Sequence, residues 1–296
     1  MGYLNMTFHG EPSMAKLREV KRLVAGHATT DGAGVALVRI LGQRDVVDFD
    51  PFLMLDAFDS ADPRDYVAGF PWHPHRGIET VTYLVEGNIE HGDSLGNSGV
   101  IRDGDCQWMT AGSGIIHQEM PKPARRMWGA QLWLNLPAKD KFAPPAYGDI
   151  VSANVPQVAG EGNLTRVISG EFGGVAGAFQ GRYLKPVYLD VRIEAGREFQ
   201  APVDPENTVF AYIMQGSVEF GSPGSGLLRD KQAVLMDDGD QVRAVAGDGG
   251  ARFLLLSGRP LNEPVAWGGP IVMNTQAELE QAFAELDNGT FIRHPA

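Results

Sequence analysis

The sequence predicts an all-β protein, two small antiparallel jelly-roll β-barrels in tandem followed by a short C-terminal helix. Three observations carry that expectation. Short runs of β-branched and aromatic residues recur along the chain, with 37 glycines and 19 prolines scattered between them as turn signals. The order of these runs repeats weakly: YLVEGNIEHGD (83–93) parallels YIMQGSVEFGS (212–222), and IRDGDCQWMTA (101–111) parallels LMDDGDQVRAV (235–245). One stretch, TQAELEQAFAELDNG (275–289), has helical spacing, with Ala277, Leu279, Ala282, Phe283 and Leu286 on a face, Thr275 as cap and Gly289 as stop.

Taken in order, residues 1–14 read as a loose leader with no assigned structure. VKRLVAG (20–26) and VALVRILG (35–42), joined by the turn TTDGAG, read as a hairpin. DPFLMLDAFD (50–59) is an apolar run bounded by acids, the pattern of a strand buried on both faces. TVTYLVEG (80–87) is β-rich, and Asp103-Gly104-Asp105 signals a turn ahead of CQWMTAG. In MWGAQLWLNLP (127–137), Gln131, Trp133 and Asn135 alternate with leucines, which gives a strand with two distinct faces. Proline and alanine then break the strand rhythm, so the reading divides the chain into a first barrel (15–137), a connection with short helical turns (138–162), a second barrel (163–274) and the helix (275–290).

Charge and composition narrow the function. The formal net charge is -12, and no Lys/Arg cluster could neutralise a run of phosphates, which argues against direct nucleic-acid binding. Cys106 is the lone cysteine, so no intrachain disulfide forms. With no signal-peptide pattern at the start and no apolar run of bilayer length, a cytoplasmic protein without a membrane segment is expected.

The chemistry-bearing residues cluster in GFPWHPHRGIE (69–79) and MTAGSGIIHQEM (109–120). Strand alternation sends His73 and His75 to one face, and likewise His117 and Glu119. If the two strands lie side by side, three imidazoles and a carboxylate converge: the donor set of a transition-metal site with open positions. The donors alone admit Fe, Zn, Ni, Mn, Co or Cu. Glu79, four residues beyond His75, has the same parity, so alternation does not choose between Glu79 and Glu119. The second half has no matching histidines and is expected to hold no metal. Pro74 between two candidate ligands places this strand at a sheet edge or an irregular entry to one. Plainer roles suit other residues: His91 as a hydrogen-bonded loop or core residue, Arg76 as a structural ion pair and Cys106 as core packing. Trp72, Trp108 and Met109 fit either a substrate pocket or the core.

The stretches DPFLMLDAF, HPHRGIETVTYLVEG, GDCQWMTAGSGIIHQEMP, QLWLNLP and GPIVMNT resemble, in the same order, signature stretches of the pirin family of two-barrel cupins. The resemblance covers about residues 15–290. It implies that the first barrel holds one divalent metal per chain, commonly Fe(II), through His73, His75, His117 and Glu119, and it selects Glu119 over Glu79. It also implies one of two activities. Some members open flavonols such as quercetin, small planar aromatic substrates, with O₂ and release of CO; here Glu119 would double as catalytic base. Others are regulators acting through a protein partner.

Overall fold

The computed structural model describes residues 15–294; the leader assigned to residues 1–14 lies outside them. The chain opens with β1 (Val20–Ala25), β2 (His27–Asp31), β3 (Val35–Leu41), a short helix α1 (Val46–Phe49) and β4 (Phe52–Ser60). There follow β5 (Phe70–His75), β6 (Ile78–Glu86), β7 (Ile89–Asp93), β8 (Ser98–Ile101), β9 (Cys106–Thr110), β10 (Ile115–Pro121) and β11 (Met127–Asn135). β12 (Ala146–Ile150) and β13 (Gln157–Gly160) lead into β14 (Asn163–Ser169) and the small hairpin β15 (Glu171–Phe172) and β16 (Val175–Ala176). The remaining elements are β17 (Val187–Ile193), β18 (Glu198–Pro202), β19 (Thr208–Phe220), β20 (Leu228–Arg229), β21 (Gln232–Met236), β22 (Gln241–Gly258), β23 (Ala266–Gly268), β24 (Ile271–Met273) and α2 (Gln276–Asp287).

A seven-stranded sheet, β12-β9-β6-β11-β4-β3-β2, and a four-stranded sheet, β5-β10-β7-β8, form the walls of the first barrel. A nine-stranded sheet built around the long β19 and β22 makes the second. The barrels stand back to back. Val81, Tyr83, Trp108 and Leu132 on the outer face of the seven-stranded sheet pack against Tyr188, Phe210, Tyr212 and Leu254 of the second barrel. Both faces of that sheet are therefore covered, which is why β4 is apolar throughout its first seven residues apart from Asp56. Within this interface Asp190 is fully buried, takes a 2.6 Å hydrogen bond from the Tyr83 hydroxyl and pairs with Arg252.

Each end of the chain crosses to the other barrel. β1 pairs antiparallel with β21, so VKRLVAG does not form the expected hairpin with VALVRILG. The TTDGAG turn joins β2 to β3 instead, and Gly26 is where the chain changes sheets. A Cβ there would lie 2.4 Å from Ile40 Cδ1, so a side chain would block the crossing. At the other end, β24 returns to the first barrel: Val272 N donates to Arg76 O, and the buried Lys141 ammonium donates to Val272 O and Gly77 O. α2 starts at Thr275 with a full capping box to Glu278 and buries Leu279 and Ala282, as its spacing predicts. The stretch 138–162 has its 3-10 turns but also carries β12 and β13, each paired to a neighbouring sheet. α1, four residues long, was not anticipated; it is too short to show a helical period.

Candidate metal centre

β5 is the edge of the four-stranded sheet, where Pro74 costs no ladder bond on its open side. It pairs with β10 so that His117 lies opposite His73, and Ile115 opposite His75. The ligating nitrogens of His73, His75 and His117 lie within 4.8 Å of one another. Each ring has an oxygen beside its Nδ1. His73 Nδ1 is 2.9 Å from Pro71 O, His75 Nδ1 3.0 Å from Pro270 O, and His117 Nδ1 3.5 Å from the Tyr147 hydroxyl. The two carbonyl oxygens can only accept, so His73 and His75 carry their proton on Nδ1 and keep the Nε2 lone pair for ligation, these two Nε2 atoms standing 3.1 Å apart; the Tyr147 hydroxyl, able to donate or accept, suits either tautomer of His117. His117 Nε2 is buried without any hydrogen-bond partner. Burial, with the neighbouring imidazoles adding to it, pushes the His75 pKa down to about 3 and that of His117 well below the ordinary value, so both rings are neutral and able to ligate. These features fit a divalent cation, which would give the orphaned nitrogens their partner.

Glu119 is next along β10, past a bulge that shifts it opposite Phe70. Its carboxylate lies outside the imidazole cluster and rests on the seven-stranded sheet. Oε1 accepts from Thr82 Oγ1 at 2.8 Å and Oε2 from Gln131 Nε2 at 2.7 Å. Glu79 is on the other face of β6 from Thr82, with Val81 and Tyr83, and its Oε1 accepts from Thr110 Oγ1 at 2.7 Å. Parity counted from His75 to Glu79 fails because Gly77, with φ of +76°, breaks the strand and sends the chain into a different sheet. Burial raises the Glu79 carboxyl above its ordinary value, partly offset by the hydrogen bond from Thr110.

A cavity of about 1340 Å³ opens over His73 and His75, with Gln131, Trp133, Trp267 and Pro270 among its walls. Of the three residues weighed for a pocket, Trp72, Trp108 and Met109, none lines this cavity. Trp72 is 55% exposed, Trp108 stacks on Phe179 at 4.4 Å between the barrels, and Met109 packs in the core beside Ile115 and Trp133. Trp133 could have been found, since it shares the Gln131 face of an alternating strand. Trp267 and Pro270 could not, because they arrive from the far end of the sequence. Arg76 is structural: it is buried, pairs with Glu285 at 2.8 Å and donates to Ser113 O and Phe291 O. His91 is buried and stacked on Tyr147, but neither ring nitrogen has the hydrogen bond expected of it. Cys106 is buried, and burial raises its thiol pKa.

Two back-to-back cupin barrels, with a three-histidine cluster able to hold a metal ion in the first, define the class as a two-barrel cupin. The sequence profile of the pirin family matches residues 34–134, and that of the pirin C-terminal cupin domain matches residues 188–292. A pirin-like protein of Caulobacter vibrioides is 45% identical over 93% of this chain and 99% of its own length. A Pseudomonas aeruginosa protein bearing a provisional quercetin 2,3-dioxygenase name is 44% identical over 93% of this chain and 99% of its own length. The crystal structure of a quercetin 2,3-dioxygenase from Acinetobacter baumannii superposes with a TM-score of 0.85 at 30% identity, covering 93% of this chain and 98% of that one. The chain belongs to the pirin family. Among the described residues, no helix is long and apolar enough to cross a membrane.

Proposed function

We propose that the protein is a dioxygenase that opens a flavonol ring with O₂ and releases CO, with one divalent metal, Fe(II), held by His73, His75, His117 and Glu119. The observation that carries this reading is the convergence of three Nε2 atoms, each with its Nδ1 turned to an oxygen, beneath a cavity walled by Trp133 and Trp267. The chemistry a metal supplies when bound there is Lewis-acid polarisation of a substrate hydroxyl and electron exchange with dioxygen. The chain's own residues do the rest. Trp133 and Trp267 offer flat apolar faces to an aromatic ring and exclude water. Glu119 takes the proton of the substrate hydroxyl, and Thr82 and Gln131 hold its two oxygens until then.

The test is elemental analysis of the purified protein with O₂ uptake and CO release measured on quercetin. Metal-replete protein that yields neither with any flavonol tested would overturn the enzyme reading. The regulator reading rests on a different observation: Pro270 O holds His75 Nδ1, so the C-terminal segment contacts the site directly. A protein partner captured only in one metal oxidation state would favour it.

A further inference from the structure

The inner face of the seven-stranded sheet carries one polar residue from every strand in a single rung. The register runs Asp149, Gln107, Thr82, Gln131, Asp56, Arg39, His27, from β12 at one edge to β2 at the other. Glu119 lies across the middle of this rung, on Thr82 and Gln131. On one side of it Gln107 is buried. On the other side Gln131, Asp56, Arg39 and His27 line the same cavity as His73 and His75. Adjacent strands are about 5 Å apart, so Asp56 lies about 5 Å and Arg39 about 10 Å farther along the cavity than Gln131.

Gln131 and Asp56 offer a ligand hydrogen-bond acceptance, while Arg39 beside them keeps the donors of its Nη1. Gln131 spends its amide nitrogen on Glu119 and Thr82, which leaves its carbonyl oxygen for the cavity. Asp56 is 3% exposed and is oriented by a two-point contact from Arg39, Nε to Oδ1 at 2.9 Å and Nη2 to Oδ2 at 2.7 Å. Each of its oxygens keeps a further lone pair. A carboxylate fixed in this way at a cavity wall, one strand from a second acceptor, gains from a ligand that brings O–H groups and loses with one that brings bare C–H.

We propose that Asp56, positioned by Arg39 and assisted by Gln131, is a specificity-determining residue. It accepts hydrogen bonds from phenolic hydroxyls on the part of the substrate beyond its metal-binding end, so the substrate class is a polyhydroxylated flavonol. This rests on the flavonol reading above and names which flavonols it covers.

The test is anaerobic calorimetric titration of the metal-loaded full-length protein with quercetin and with 3-hydroxyflavone. The latter keeps the hydroxyl and keto pair that meets the metal and lacks every other hydroxyl. Wild-type protein is expected to bind quercetin tighter by about tenfold to a hundredfold, the range for hydrogen bonds to a charged acceptor. Asp56→Leu is expected to reduce that ratio to below about threefold while leaving 3-hydroxyflavone affinity unchanged, an outcome a purely structural ion pair would not produce. Equal wild-type affinities, or a preference that survives in Asp56→Leu, would overturn the inference. If Asp56→Leu does not fold, Asp56→Asn, which keeps the shape and removes the charge, is titrated in its place, and an undiminished preference in it overturns the inference equally. Failure to bind either compound would instead sink the flavonol reading itself.

Discussion

The two barrels share an architecture and differ in what fills them. In the second, the interior is apolar: Val167, Leu189, Val191, Phe199, Val209, Ala211, Ile213, Phe220, Phe253 and Leu255 form one buried cluster, and its phenylalanines meet at 5.3 to 5.8 Å. In the first, the corresponding volume holds three imidazoles, a carboxylate and a polar rung. The weak repeat makes the exchange visible residue by residue. With Tyr83 set against Tyr212, Thr82 falls on Ala211 and His91 on Phe220. The tyrosines themselves stay alike because both face the shared core between the barrels. A jelly roll therefore tolerates either a dry core or a site, and here the back-to-back partner supplies packing that the site-bearing barrel has given up.

A pair of substitutions should separate the two roles. Phe253→Ala, at a fully buried position in the second barrel, is expected to cost about 3–5 kcal/mol in urea unfolding while metal content stays at the wild-type level. His117→Ala, and equally His73→Ala, should do the reverse: metal affinity falls by more than about a hundredfold, outdoing the loss of an outer-shell partner, and the barrels remain folded by circular dichroism. Full metal occupancy in a histidine variant would remove that residue from the ligand set. A Phe253→Ala protein that loses its metal would show that the barrels are not separable in this way.

Glu119→Gln sharpens the chemical half of the comparison. The amide keeps the size of the side chain and one oxygen donor but cannot take a proton, so turnover of quercetin per bound metal is expected to fall by about two orders of magnitude or more. Activity should then recover as pH rises toward the flavonol's own pKa, where the substrate needs no base. Unchanged turnover per bound metal would leave Glu119 as a ligand or a wall and nothing more.

How far the sequence could be read follows the same division. Local signals worked where the interaction is local: the Thr275 cap, the TTDGAG turn, the doubly buried β4, the edge placement of Pro74. Alternation within a strand put His73 with His75, and the register then brought His117 opposite His73. Alternation failed for Glu79, because a single glycine of positive φ resets the count. What stayed illegible were contacts joining distant parts of the chain. β1 lies on β21, more than two hundred residues away, and the oxygen that fixes His75 belongs to Pro270. No window of sequence contains both partners, and the apolar patterns of VKRLVAG and VALVRILG suit either sheet equally.

The smallest effect concerns His91, the residue that most directly compares the barrels. It stands opposite Glu119 on β7, stacks on Tyr147 at 5.6 Å with 12° between the rings, and packs its Nε2 against Gly99, where a Cβ would come within 2.5 Å. Neither nitrogen has a hydrogen bond, and the nearest carboxylate oxygen, on Asp149, is 3.8 Å from Nε2. A buried ring with two unpaired nitrogens costs about 1–3 kcal/mol relative to a satisfied one. His91→Phe writes the second barrel's residue into the first: it keeps the stack on Tyr147, removes both unpaired nitrogens and adds one ring atom on the side of Gly99, where the imidazole already fills the place of the missing Cβ. Since the added atom offsets part of the gain, the variant is expected to be more stable by about 1 kcal/mol, read as a higher urea midpoint with an unchanged slope, and to keep its metal. A loss of stability of that size would mean that the His91 nitrogens do hold a partner in the folded protein, and the first barrel's polar interior would then extend one residue farther from the imidazole cluster than Glu119.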